Sequence, residues 1–101
     1  MQSMKTRHAE PTSGFRHDIK RERRGIYRNL LTGDGELAKV VSMLERGIPL
    51  PAKYRDHPLH GEWEGSRDCH IRPDLVLVYT LEGEDLLILE RLGSHSELFG
   101  L

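Results

Sequence analysis

Residues 53–74, KYRDHPLHGEWEGSRDCHIRPD, are the part of the chain from which everything else can be placed. These 22 residues hold three of the six histidines, the only Trp, the only Cys and three aspartates, interrupted by two prolines and two glycines. Stiff turns therefore alternate with a strand-like run. An extended Trp63–Arg72 sends successive side chains to opposite faces. One face then carries Trp63, Gly65, Arg67, Cys69 and Ile71, and the other Glu64, Ser66, Asp68, His70 and Arg72. Asp68 and His70 become neighbours roughly 7 Å apart, the rise of two strand residues. A carboxylate beside an imidazole, with a guanidinium beyond, is poor core material and suits proton transfer to an anionic substrate. Cys69 shares its face with Trp63 and Ile71 and reads as a small buried hydrophobe. The same parity separates Cys69 from His70 and argues against a Cys–His nucleophile.

Downstream, Leu75–Leu81 is a continuous apolar, β-branched run, the signature of a strand buried on both faces. Glu82-Gly83-Glu84-Asp85 makes a hairpin turn and Leu86–Leu92 returns as a second strand. The tail holds a short helix capped by Ser94, with Glu97 at the capping-box position. Upstream, Leu37, Val40, Val41, Leu44 and Ile48 repeat at helical spacing. That helix starts at Thr32 or Asp34 and stops at Gly47, with Pro49 and Pro51 barring its continuation. A further helix fits about Ser13–Leu30, weakened in the middle by Gly25. Residues 4–10 have weak strand character. Two helices followed by hairpin-connected strands give an α+β fold: two N-terminal helices on a small, mainly antiparallel four-stranded sheet, with a short C-terminal helix or tail.

With 101 residues, 37% hydrophobic and 31% charged, the chain supports one domain over residues 1–101 with one modest core. Residues 1–7 read as a poorly ordered leader. No apolar run approaches the ~20 residues that span a bilayer, and no signal-peptide h-region opens the chain. A lone cysteine excludes an intramolecular disulfide. Cytoplasmic residence without membrane contact is the resulting expectation. The net charge of −1 conceals an asymmetry. Residues 1–30 carry eight Lys/Arg against three Asp/Glu, residues 31–101 seven against thirteen. The basic first third suits either a solvated helix face or nucleic-acid phosphate.

Taken together, Leu50-Pro51-Ala52-Lys53-Tyr54-Arg55-Asp56-His57-Pro58-Leu59, Gly61, Trp63 and Arg67-Asp68-Cys69-His70 resemble the YafQ branch of the RelE superfamily. Pro73-Asp74, Tyr79 and the run Glu90–Gly100, ERLGSHSELFG, extend the resemblance. These proteins are the toxin halves of bacterial toxin–antitoxin pairs. The resemblance implies a RelE-like fold and a ribosome-dependent endoribonuclease of a type II system, an mRNA interferase that inhibits translation. It implies no metal and no cofactor, and as partners a cognate antitoxin and the 70S ribosome with its messenger RNA. Operator DNA would be met only through the antitoxin complex. Family catalytic positions fall on His57, Asp68, His70, Asp74, Arg91, His95 and Phe99. Arg16, Lys20, Arg21, Arg23, Arg24, Arg67 and Arg72 would contact RNA or the ribosome.

The chemistry fits these residue types. Cleavage by the RNA's own 2′-hydroxyl needs a base, an acid for the 5′-oxygen, and positive charge on the phosphorane. His70 and His95 serve as acid and base in an order the sequence leaves open, since imidazole titrates near neutral pH. Arg91 would grip phosphate. Asp68 orients a histidine or takes part itself, Asp74 orients or contacts ribose, His57 positions RNA, and Phe99 stacks on a base. His8, His17 and His60 read as surface, and Trp63 as a packing residue. Alternatives are a gyrase-inhibiting toxin of the same fold and a degenerate antitoxin-binding module. A zinc site from His57, His60, Asp68, His70 and His95 has suitable ligands but no recognised spacing.

Overall fold

The computed structural model describes residues 6–100. In chain order these form β1 (His8–Pro11), α1 (Ser13–Glu22), α2 (Glu36–Glu45), β2 (His57–Pro58), β3 (Arg67–Arg72), β4 (Leu75–Glu82), β5 (Leu86–Gly93) and α3 (His95–Phe99), with 3-10 turns at Arg28–Leu30, Ala52–Tyr54 and Gly61–Trp63. The α+β class holds, but the sheet is five-stranded and mixed, not four-stranded. Its order is β1-β5-β4-β3-β2, with β1 parallel to β5 and the other pairs antiparallel. No described helix is long and apolar enough to cross a membrane. Of the expected leader, residues 1–5 lie outside the described residues. Arg7 is tied down, its N–H donating to Glu45 O at 2.8 Å and its Nη2 to Gly83 O at 3.2 Å.

The central strand, β4, is what its composition demands. Leu75 to Tyr79 are all at most 1% exposed. Leu75, Leu77 and Tyr79 join the main core with Phe15 of α1 and Leu37, Val40 and Leu44 of α2. Val76 and Val78 face the other way, into a smaller cluster with Leu98, Leu59, Trp63 and Phe99. The sheet is thus covered on one side by α1 and α2 and on the other by α3 and the loop of residues 59–63. Truncating a fully buried leucine such as Leu77 to Ala costs ~2–5 kcal/mol.

Three expectations are corrected. The first helix stops at Glu22 instead of reaching Leu30: Gly25 lowers its propensity, and Ile26, 82% exposed, has no core to face. Tyr27, Leu30 and Leu31 still pack against the core, from irregular chain. The second helix is capped by Gly35, not by Thr32 or Asp34, and without a side-chain bond. A Cβ at Gly35 would lie 2.7 Å from Leu30 O, so the chain admits only glycine there. The extended run starts at Arg67, not at Trp63. Gly65, at φ +95°, rotates the chain between them, and Trp63 ends in the smaller cluster, across the sheet from Cys69 and Ile71.

Candidate active site

Parity from Arg67 onward holds through His70. Cys69 and Ile71 are buried in the main core, while Asp68 and His70 lie on the opposite face. A register shift between His70 and Arg72 then returns Arg72 to the α2 side, where it pairs with Glu36. The carboxylate–imidazole–guanidinium row expected along one face is therefore broken at Arg72. β2 pairs with β3 with His57 opposite Asp68, which places a second imidazole beside the same carboxyl. His57 Nε2 lies 2.8 Å from Asp68 Oδ1 and His70 Nε2 3.8 Å from it.

α3 delivers the third imidazole. Its start is fixed by a complete capping box: Ser94 Oγ accepts from Glu97 N at 3.1 Å and Glu97 Oε1 accepts from Ser94 N at 2.9 Å. The first helical residue is His95, one turn before Phe99. Ring centroids are 6.3 Å apart for His57–His70, 5.1 Å for His70–His95 and 5.7 Å for His95–Phe99. Trp63 packs edge-on against Phe99 at 6.5 Å. Five of the seven expected catalytic residues thus form one continuous row supplied by β2, β3 and α3.

The other two make their contacts elsewhere. Asp74 accepts a short hydrogen bond from the Tyr27 hydroxyl. Arg91 donates from Nε and Nη2 to Asp18 of α1, at 2.7 and 3.1 Å. Among the described residues neither hydrogen-bonds nor ion-pairs with the histidines. The basic residues divide similarly. Arg16 and Lys20 line a shallow depression on α1, and Arg23 and Arg24 are exposed just beyond it. Arg21 is spent on Asp18, Glu22, Glu97 and Leu92 O, and Arg67 on Asp56.

Burial shifts two members of the row in opposite directions. Asp68 is 1% exposed, and the 2.8 Å approach of His57 is not aligned as a hydrogen bond, so among the described residues Asp68 Oδ1 is buried without a donor. Burial pushes the Asp68 carboxyl above the ordinary carboxylate range, against the pull of the His57, His70 and His95 charges. Burial pushes His70 down, and Asp68 opposes it. The proton affinities of the two groups are thereby drawn toward each other. His57 Nδ1 sits 3.0 Å from Pro58 O, which only accepts, so Nδ1 carries the proton. Its Nε2 then faces a carboxyl oxygen, a contact that is favourable only when a further proton sits on one of the two. The same three side chains, His57, Asp68 and His70, present ligand atoms all within 4.8 Å of one another and can hold a metal ion.

Beside the row runs a groove of about 700 Å³ whose lining includes His70, His95, Tyr54, Arg55, Lys53, Arg72 and Glu36. Arg55 is a groove residue that sequence reasoning passed over, because nothing in the local pattern distinguishes it from a solvated charge.

The family described as bacterial toxin of type II toxin–antitoxin system, YafQ, matches residues 7–100. The mRNA interferase toxin YafQ of Escherichia coli strain K12 is 50% identical over 58 residues, covering 57% of this chain and 62% of that protein. The chain therefore aligns with less than two thirds of that relative's length. The structure of the E. coli DinJ–YafQ toxin–antitoxin complex superposes with a TM-score of 0.78 at 38% identity, covering 94% of this chain and 99% of that one. A metal-bound toxin from Helicobacter pylori superposes with a TM-score of 0.74 at 41% identity, covering 90% and 97%. A match over nearly every described residue, with the histidine row inside it, means that the chain belongs to the YafQ family of bacterial toxins of type II toxin–antitoxin systems.

Proposed function

We propose that this chain is an endoribonuclease toxin that cleaves messenger RNA on the ribosome and is neutralised by a cognate antitoxin. The observation that carries the reading is the row His57–His70–His95, gathered from two strands and a helix around a buried carboxyl whose Oδ1 has no hydrogen-bond donor among the described residues. Its likeness to an mRNA interferase toxin and to a toxin bound by its antitoxin supports the substrate and the partner.

One of His70 and His95 removes the 2′-hydroxyl proton. The other protonates the 5′-oxygen as the P–O bond breaks, leaving a 2′,3′-cyclic phosphate and a 5′-hydroxyl. Each contributes about 10²–10⁴-fold. Asp68, its proton affinity raised toward that of His70, holds and returns a proton through His57 or His70 at low cost. Phe99, backed by Trp63, offers a stacking face worth ~1–3 kcal/mol per base. Asp74, held by the Tyr27 hydroxyl, contacts ribose. Arg91, with Nε and Nη2 given to Asp18, contributes through its remaining Nη1. Arg16, Lys20, Arg23 and Arg24 meet ribosomal RNA phosphate. Arg21, Arg67 and Arg72 hold carboxylates of their own chain and serve mainly the fold. Operator DNA is met only by the toxin–antitoxin complex.

The reaction needs no metal in this scheme, because acid, base and positive charge are all side chains. Cleavage of ribosome-bound messenger RNA, followed by primer extension, is expected for the wild type and lost in His70→Ala. Wild-type protein that leaves the transcript intact overturns the reading. Activity that survives chelation supports the metal-free route. Activity abolished by chelator and restored by a divalent ion reassigns His57, Asp68 and His70 as its ligands.

A further inference from the structure

We propose that Arg55 is the phosphate anchor of the groove beside His70 and His95, gripping the RNA backbone at the bond those two histidines address. The inference rests on the nuclease reading and adds a residue to it.

The groove's other guanidinium, and Arg91 with it, is committed, while Lys53 is exposed and only loosely paired. Arg72 holds Glu36, Lys53 lies 3.9 Å from the same carboxylate, and Arg91 is bound two-pronged to Asp18. Arg55 lines the groove with His70 and His95, is exposed, and has neither a hydrogen-bonded nor an ion-paired side-chain partner among the described residues. It stands close enough to His70 for its charge to depress that imidazole's proton affinity. An unpaired guanidinium at the wall of a groove is a preformed two-oxygen grip for a phosphodiester.

Its backbone supplies an independent observation. Among the described residues Arg55 is the one non-glycine at positive φ, at φ 50°, ψ 46°. Both neighbours are clamped. The Tyr54 hydroxyl donates to Glu36 Oε2 at 2.8 Å, and Asp56 Oδ1 accepts from the Tyr79 hydroxyl at 2.6 Å and from Arg67 Nε at 3.2 Å. The chain is thus pinned on either side of a left-handed residue that glycine would occupy without steric cost. Strain of this kind persists where surrounding structure over-determines it, and it clusters at ligand sites.

Glycine separates the two roles. Arg55→Gly keeps the turn and removes the guanidinium, so the protein should melt at or above the wild-type temperature. Its kcat/KM on ribosome-bound messenger RNA should fall about 10²–10³-fold, as for loss of a charge-stabilising donor. Arg55→Lys, which keeps charge without the planar fork, should recover part of that loss. Binding to an uncleavable 2′-O-methyl RNA on the ribosome should lose about 0.7 from its log–log salt slope in Arg55→Gly, the value of one single-strand phosphate contact, and keep its slope in His70→Ala. If His70→Ala is inactive while Arg55→Gly cleaves like the wild type with an unchanged slope, the anchor is overturned and the nuclease reading stands. If the wild type does not cleave, the nuclease reading falls, and the salt slope of Arg55→Gly still reports whether the anchor exists.

Discussion

Two aspartates in this molecule are equally buried and opposite in character. Asp18 and Asp68 are each 1% exposed. Asp18 accepts from Arg91 Nε and Nη2, Arg21 Nη1 and the Leu92 N–H, at 2.7 to 3.1 Å. Burial works to raise its pKa, but these donors win and hold it below the ordinary range. Among the described residues Asp68 Oδ1 is approached by imidazoles that do not align as hydrogen bonds, and burial wins there. A carboxylate with its donors in place is part of the scaffold. One buried without them destabilises the protein at neutral pH, a cost expected where its chemistry is used.

The largest effect should come from the histidine row. His70→Ala or His95→Ala should lower the cleavage rate by about 10²–10⁴-fold, read by primer extension, while the melting temperature moves little. Asp68→Asn comes next and tests the comparison from the other side. It should reduce cleavage about 10²-fold and raise thermal stability, since it removes a buried charge that lacks donors. A fall in both would place Asp68 with the scaffold. Asp18→Ala strips partners from two guanidiniums and an N–H and should cost ~3–5 kcal/mol, read by denaturant melts.

The pH dependence of stability should split along the same line. Asp18 is lowered on folding, so its stabilisation is present above the ordinary carboxylate range and is lost as pH falls through its depressed pKa. Asp68 is raised, so its relative stabilisation is present below that range and is lost as pH rises through its elevated pKa. Wild type minus Asp68→Asn should therefore worsen with rising pH, and wild type minus Asp18→Asn should improve. Tyr27→Phe should be the smallest change, within about 0.5–1.5 kcal/mol, because the bond to Asp74 is exposed.

What the sequence made legible was local. The Ser94–Glu97 capping box, the two-faced burial of Leu75–Tyr79 and the adjacency of Asp68 to His70 all follow from spacing within one element, and the structure has them. The parallel pairing of β1 with β5 joins residues nearly eighty apart, and four residues of weak propensity give no sign of it. β2 is two residues long and shows no period at all, yet its register sets His57 against Asp68. Trp63 was misplaced because strand parity was carried through Gly65, whose positive φ resets it; two glycines within five residues were the available warning. The grip of Asp18 on Arg91 spans 73 positions and leaves no local trace. The candidate site was therefore readable as a clustering of residue types, and unreadable in its distinction between committed and free guanidiniums.

The most direct measurement is a single-turnover cleavage assay on ribosome-bound messenger RNA, comparing wild type with His70→Ala and with Asp68→Asn, each shown to be folded by its melt. The account predicts a product ending in a 2′,3′-cyclic phosphate from the wild type, loss of that product in His70→Ala, and strong reduction in an Asp68→Asn protein that melts higher. Equal cleavage by all three would contradict it.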